Sequence, residues 1–222
     1  DDHEINTLGT NPLDPDTGQV LRTEPWWSAE EELYGTDPSN RIIATYNGTT
    51  GIPFQYDDTI TANEDLFALL DANDDTAELM VNYLRGVDDE EVRNGGSFRN
   101  RQIRLVAENT VRPSKLGDIV HSAPLYQKYV RQDGSTYGTV YVGANDGMLH
   151  AFYAGNEETD PLNGTEMFAY VPGLVFPNLK YLTQTGYDHQ YYVDLIPYLE
   201  VIEDSNGDKI ALLVGGLGKG GK

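Results

Sequence analysis

Two stretches of this chain share one layout, and that repetition narrows the folds open to it. "SAPLYQKYV" (122–130) leads to "TVYVGANDG" (139–147), and "LIPYLEVIED" (195–204) leads to "KIALLVGGLGKG" (209–220). Each puts a proline early in a first strand, then a turn, then a second strand ending in Val-Gly. Pro124 and Pro197 lie 73 positions apart, and Gly143 and Gly215 lie 72 apart. "GMLHAFYAG" (147–155) and "TEMFAYVPG" (165–173) follow the first unit as further strands. Apolar residues alternate at Val140/Val142 and at Leu149/Ala151/Tyr153, which predicts half-buried strands. Asn145-Asp146-Gly147 offers the positive φ that a tight hairpin needs.

A four-stranded antiparallel unit that recurs at a fixed period is the blade of a β-propeller. The fold class expected is therefore mainly β with a small helical segment, a partial propeller of about one and a half blades. A blade buries its faces only against its neighbours. The expectation is a fold incomplete without a partner segment, with the remaining blades on a missing or companion piece.

Upstream the texture differs. Residues 1–60 read as irregular, with turn chemistry in "NPLDPDTGQ" and "GTDPSN". Within them "PWWSAEEELYG" predicts a short helix capped by Ser28 and ended by Gly35. "RIIATYNGTTGIPFQ" predicts a hairpin with its tip at Asn47-Gly48. Residues 61–114 form a helical segment followed by an Arg/Gly-rich loop. Thr61 or Asn63 can cap a helix carrying Leu66, Phe67, Leu69 and Leu70. Asp75 or Thr76 can cap a second helix with Leu79, Met80, Tyr83 and Leu84 on its apolar face and Gly86 as its stop. The loop 85–104 carries Arg85, Arg93, Arg99, Arg101 and Arg104 among its own acids, so local charge pairing is expected. Residues 115–222 are the blade region, interrupted by an insertion at 173–192.

The charge balance excludes some partners. With 36 acidic and 15 basic residues the net charge is −21. That field repels nucleic acid and anionic lipid, and it suits cations such as Ca²⁺. No apolar run approaches the ~20 residues of a membrane span, so no membrane insertion is expected. The first residues, "DDHEINTLGT", have neither a basic region nor an apolar stretch, which fits a cytosolic protein or a mature or excised piece. There is no cysteine, hence no disulfide, thiolate metal site or Cys nucleophile. The 15 tyrosines, 23 glycines and 11 prolines fit a strand-and-turn protein of extracellular type.

Five blocks in order carry a resemblance: "LGDIVHSAPLY" (116–126), "YVGANDGMLHAF" (141–152), "FAYVPGLVFPNLKYLT" (168–183), "YYVDLIP" (191–197) and "LLVGGLGKGGK" (212–222). Together they resemble the PilC/PilY family of type IV pilus tip adhesins and assembly factors. "NYLRGVDDEE" and "FRNRQIR" are similar to the stretch that precedes the family's C-terminal propeller. The resemblance implies a non-catalytic structural and adhesive module, at the cell surface or pilus tip. Its implied partners are pilin or minor pilins and a host or surface ligand. It also implies calcium in Asp/Asn-rich loops. Arg85-Gly86 is followed by Val87 before Asp88, so the Arg-Gly-Asp tripeptide of some members is broken here. Two rival functions remain beside it: a quinoprotein-like propeller dehydrogenase fragment, and a calcium-dependent extracellular binding module.

The residues themselves offer a leading candidate metal site. Asp71, Asn73 and Asp75, followed by Glu78, space oxygen ligands as an EF-hand loop begins. The sixth position is Thr76 instead of Gly and the twelfth Asn82 instead of Glu, so the turn also reads as an acidic helix cap. Asp204, Asn206 and Asp208 make a hairpin tip, and Asp14 and Asp16 lie in a "DPDTG" turn; both are weaker calcium candidates. His121 and His150 are expected within strands as packed histidines, with His189 apart from them. "HSAP" lacks the partners of a catalytic triad. "GGLGKGGK" lacks the Lys-Ser/Thr ending and the helix of a phosphate loop, so it reads as a glycine-rich link between blades.

Overall fold

The computed structural model describes residues 26–56, 70, 74–105, 110–207 and 209–221. Its centre is a six-stranded sheet. β5 (Leu125–Val130), β6 (Thr136–Gly143), β7 (Leu149–Ala154) and β8 (Glu166–Val171) form an antiparallel meander, as the sequence predicts. The predicted hairpin upstream is also present, as β1 (Ile43–Tyr46) and β2 (Gly51–Pro53), with Gly48 at φ 95° in its tip. Sequence alone gave no hint of where it docks. β1 runs parallel to β8, so the hairpin extends the meander by two strands along its outer edge.

β9 (Tyr198–Glu203) and β10 (Lys209–Val214) make a separate two-stranded sheet, and β3 (Gln102–Leu105) and β4 (Thr110–Pro113) another. The pairing register refines the repeat. Leu125 pairs with Tyr141 and Tyr198 with Val214, so both strands of the second hairpin stand 73 positions beyond the first. The counterpart of Gly143 is therefore Gly216, one residue past the Gly215 that the Val-Gly pattern suggests. The turns agree: Gly147 N–H donates to Ala144 O (3.4 Å) and Gly220 N–H to Leu217 O (2.8 Å).

Two helices flank the six-stranded sheet. α1 (Ala29–Gly35) is capped by the Ser28 hydroxyl, which accepts the Glu31 N–H. α2 (Asp74–Arg85) stops at Gly86, whose φ of 116° suits only glycine. Of its expected face, Tyr83 and Leu84 are buried and Met80 is partly so, but Leu79 is 38% exposed. Ala77 and Val81 are buried in the core there instead. The first predicted helix lies outside the described residues apart from buried Leu70.

One face of the meander is packed in two clusters. Val140, Val142, Phe152 and Ala154 meet Trp27 and Ala29. Ile43, Ala169 and Val171 meet α2, Phe54 and the short helical stretch 173–183, which contributes Val175, Phe176, Leu179 and Leu182. Phe54 and Phe176 meet edge to face at 5.7 Å between ring centroids. The stretch expected as an insertion is thus a wall of the core. On the other face the sheet is covered by its own aromatics. Tyr129, Tyr137 and Tyr153 stack across three strands, and Tyr141 leans on Phe168.

Candidate functional site

The Asn145-Asp146-Gly147 turn does more than link β6 to β7. Asp146 Oδ1 accepts the Met148 N–H (3.0 Å), closing the turn, while Oδ2 accepts the Gly117 N–H (2.9 Å). The Asn145 backbone N–H donates to Asp118 O, its amide donates to Asp118 Oδ2 (3.2 Å), and its Oδ1 accepts the Tyr192 N–H (3.0 Å). Two adjacent side chains therefore grip the lead-in to β5 and the lead-in to β9 at once. Gly147 sits at φ 94°, and a Cβ there would lie 2.5 Å from Leu179.

Behind the turn runs a buried chain of charge. His150 donates from both ring nitrogens, Nε2 to Asp146 (3.0 Å) and Nδ1 to Glu166 Oε1 (2.8 Å). Arg41 grips Glu166 with two bonds (2.7 and 2.9 Å) and donates to Arg85 O (2.7 Å). Arg85 in turn binds the carbonyls of Phe54, Pro38 and Arg41. Burial alone would favour neutral forms here. The attraction of Asp146 and its hydrogen bonds outweigh that for His150, holding its pKa up at about 9. For Glu166, burial is likewise outweighed by bonds from His150 and Arg41, which hold it at about 2. Asp146 is also lowered, burial being overcome by His150. The chain ties the turn to the added hairpin and to the end of α2.

A second buried carboxylate organises the Arg/Gly-rich loop. The Glu91 carboxylate accepts from the Arg101 guanidinium (2.7 Å) and from the Arg101 backbone N–H (3.2 Å), and it also pairs with Arg93. The Arg101 guanidinium lies 4.0 Å over the Tyr83 ring. The expected local charge pairing is present. Between this loop and the turn is a polar cavity of about 180 Å³, bordered by Arg99, Lys115, Asp118, Asn145 and Tyr187.

The sequence-derived candidates fall as follows. Asp71 and Asn73 lie outside the described residues, Asp75 is in α2, and Glu78 is exposed on that helix. Among the described residues no group of three or more His, Asp or Glu is placed to hold a metal ion. Asp204 accepts the Asn206 N–H (2.8 Å), as a turn residue does; Asp208, Asp14 and Asp16 lie outside the described residues. His150 is in β7 as expected. His121 is not in a strand; it precedes β5, since β6 ends at Gly143 and leaves it no ladder partner, and Asp194 accepts its N–H (3.1 Å). His121 and His189 both meet the Tyr191 ring. Ser122 is engaged by the Gly143 N–H (2.8 Å). In the glycine-rich link, a Cβ on Gly220 would strike Tyr192 O at 2.0 Å and one on Gly218 would strike Asp194 O at 2.8 Å. These glycines let one backbone lie against another.

Sequence reasoning missed Arg41, Glu166 and Asp194. The first two are distant in sequence and meet only because β1 joins β8. Asp194 had a signal: it stands 73 positions after His121, at the same place in the repeat.

Residues 109–222 match the family described as the PilY1 beta-propeller domain. The chain belongs to this family. Among similar proteins is a type IV pilus biogenesis factor PilY1 homolog of Xylella fastidiosa, 33% identical over 218 residues, covering 89% of this chain and 15% of that protein. The type IV pilus biogenesis factor PilY1 of Pseudomonas aeruginosa strain UCBPP-PA14 is 33% identical over 241 residues, covering 93% of this chain and 18% of that protein. That of strain PAO1 is 36% identical over 177 residues, covering 68% and 13%. The chain thus spans less than a fifth of the length of these relatives. No solved structure matches it. The open six-stranded sheet is consistent with a partial propeller. Among the described residues no helix is long and apolar enough to cross a membrane.

Proposed function

We propose that this segment is a non-catalytic structural module of a type IV pilus biogenesis factor, in which the β9–β10 sheet seats the next blade. The observation that carries this is one bare face. Tyr198, Ile202, Ile210, Leu212 and Val214 all point the same way from the hairpin, by its register, and all are exposed. Five large apolar side chains around a single carboxylate, Glu200, on the same face are costly in water, and a neighbouring sheet relieves that cost. Their counterparts in the first blade face its own aromatic layer, so the same face awaits cover in the second. On this reading the role is at the cell surface or pilus tip, supporting pilus assembly and surface adhesion. Calcium would be an adjunct held by Asp71, Asn73, Asp75 and Glu78.

The test places Ile210→Glu with Leu212→Glu in the whole protein. The module of 222 residues should keep its circular dichroism and melting curve with both changes, while cells carrying the altered whole protein lose surface pili. Normal piliation would overturn the reading. Calcium titration of the module, with and without Asp75→Ala, separately checks the metal: heat of binding that persists in the variant removes it.

A further inference from the structure

The two lead-ins that the Asn145 turn holds apart are also joined directly. Asp194, at the start of the second unit, is buried, and both its oxygens are given to His121, the residue at the same place in the first. Oδ1 accepts the His121 N–H (3.1 Å) and Oδ2 meets Nδ1 (2.7 Å). On the far side of the ring, Nε2 lies 3.4 Å from Lys219 Nζ. Chemistry fixes the protons. An ammonium only donates and a carboxylate only accepts. A bond donated by Lys219 makes Nε2 the acceptor and leaves Nδ1 to carry the hydrogen given to Asp194. In that tautomer an unbroken line runs from carboxylate through imidazole to ammonium. It crosses from the second lead-in, through the first, to the glycine-rich link that leaves β10.

The other groups around the ring are few. Tyr191 packs on it at 5.4 Å between centroids, with Lys219 Nζ 4.8 Å from the centre of the same tyrosine ring. His189 meets the edge of Tyr191 and is paired with Asp118 (2.7 Å). The His121 side chain is about half exposed, so a proton can reach it from solvent.

We propose that this line is a proton-controlled latch on the link at 215–221. With His121 neutral, Lys219 is tied back to the first blade. A proton at Nε2 turns the acceptor into a donor and sets two positive charges side by side, so Lys219 lets go. The bond to Asp194 is kept, now charge-assisted. Acid therefore loosens the link while the junction between the lead-ins holds, and the latch governs how firmly the path toward any following sheet is held. It rests on these distances and not on the pilus reading.

Amide hydrogen exchange of the 222-residue chain at pH 8 and pH 5, expressed as protection factors, tests it. The Gly220 amide, bonded to Leu217 O, should lose protection severalfold at pH 5. The Tyr192 and Val193 amides, bonded to Asn145 and Ala144, should not change. His121→Asn keeps a donor for Asp194 but cannot titrate, and should abolish the difference at Gly220. Lys219→Met should abolish it independently, at an exposed position where folding is not at stake. His189→Asn should leave it intact. A wild-type Gly220 amide indifferent to pH overturns the latch. So does a response that survives in His121→Asn or Lys219→Met, and so does one that disappears only in His189→Asn.

Discussion

The two hairpins β5–β6 and β9–β10 have the same register, the same proline before the first strand and the same turn after the second, yet they live in different surroundings. Thr139 is 1% exposed and its counterpart Leu212 is 49% exposed; Tyr141 is 7% exposed and its counterpart Val214 is 52%. The more hydrophobic member of the first pair is the one in water. Local pattern therefore specifies a strand pair, whereas burial depends on what is stacked beside it. The first hairpin has β7 and β8 to widen its sheet, Trp27 and Ala29 on one face and tyrosines on the other. The second, among the described residues, has two strands.

The largest expected effect lies where the first blade is sealed. Phe152 is fully buried against Trp27, Ala29 and the neighbouring strands. Phe152→Ala removes a ring from a closed site and should cost about 3–5 kcal/mol. Urea unfolding followed by tryptophan fluorescence would measure it. A cost below about 1 kcal/mol would mean that this face is as open as that of the second hairpin, and the contrast would fail.

Next comes the buried line of charge behind the β6–β7 turn. Glu166→Gln leaves Arg41 and His150 without their shared carboxylate. Removing one partner of a buried pair typically costs about 3–5 kcal/mol, and Gln, which keeps one acceptor, should fall near the lower figure. The pH dependence follows from the two displaced groups. His150 is raised from about 6.5 to about 9, so its contribution is complete below 6.5 and is lost as pH climbs through 9. Glu166 is lowered from 4.5 to about 2, so its contribution is complete above 4.5 and is lost as pH falls toward 2. The blade should be most stable between about 4.5 and 6.5 as far as these two groups decide it. His150→Gln should remove the decline on the alkaline side. An unchanged alkaline limb in that variant would assign the decline elsewhere.

How much of this was visible beforehand follows from the range of the interactions. The Ser28 cap, the Asn47-Gly48 hairpin and the β5–β8 meander depend on residues a few positions apart, and their sequences announce them. The buried face of α2 includes Ala77 and Val81 and leaves Leu79 out, because which side of a helix is covered depends on the segments packed against it. Arg41 meets Glu166 across 125 positions, through a parallel pairing of β1 with β8 that no local pattern encodes. The Asp146 and Asn145 side chains were read as turn chemistry, which they are. Their grip on Gly117 and Tyr192 depends on where two other segments pass. The His121–Asp194 pair lay in the repeat itself, visible once equivalent positions are asked whether they touch.

The smallest effect is the one that decides the comparison. Leu212→Ser takes an exposed branched side chain from the bare face of β10 and places a hydroxyl in water. Within the 222-residue chain, thermal unfolding should shift by no more than the ±0.5 kcal/mol of an ordinary surface change. Thr139, at the same position of the first blade, has almost no access to water. Thr139→Asp there would bury an unpaired carboxylate, and the blade should be plainly destabilised. If Leu212→Ser cost several kcal/mol in the isolated chain, its face would already be covered, and the second sheet would need no neighbour. If it is silent in the chain but destabilising in the longer protein, the cover comes from outside these residues, and the cost difference measures what that cover contributes.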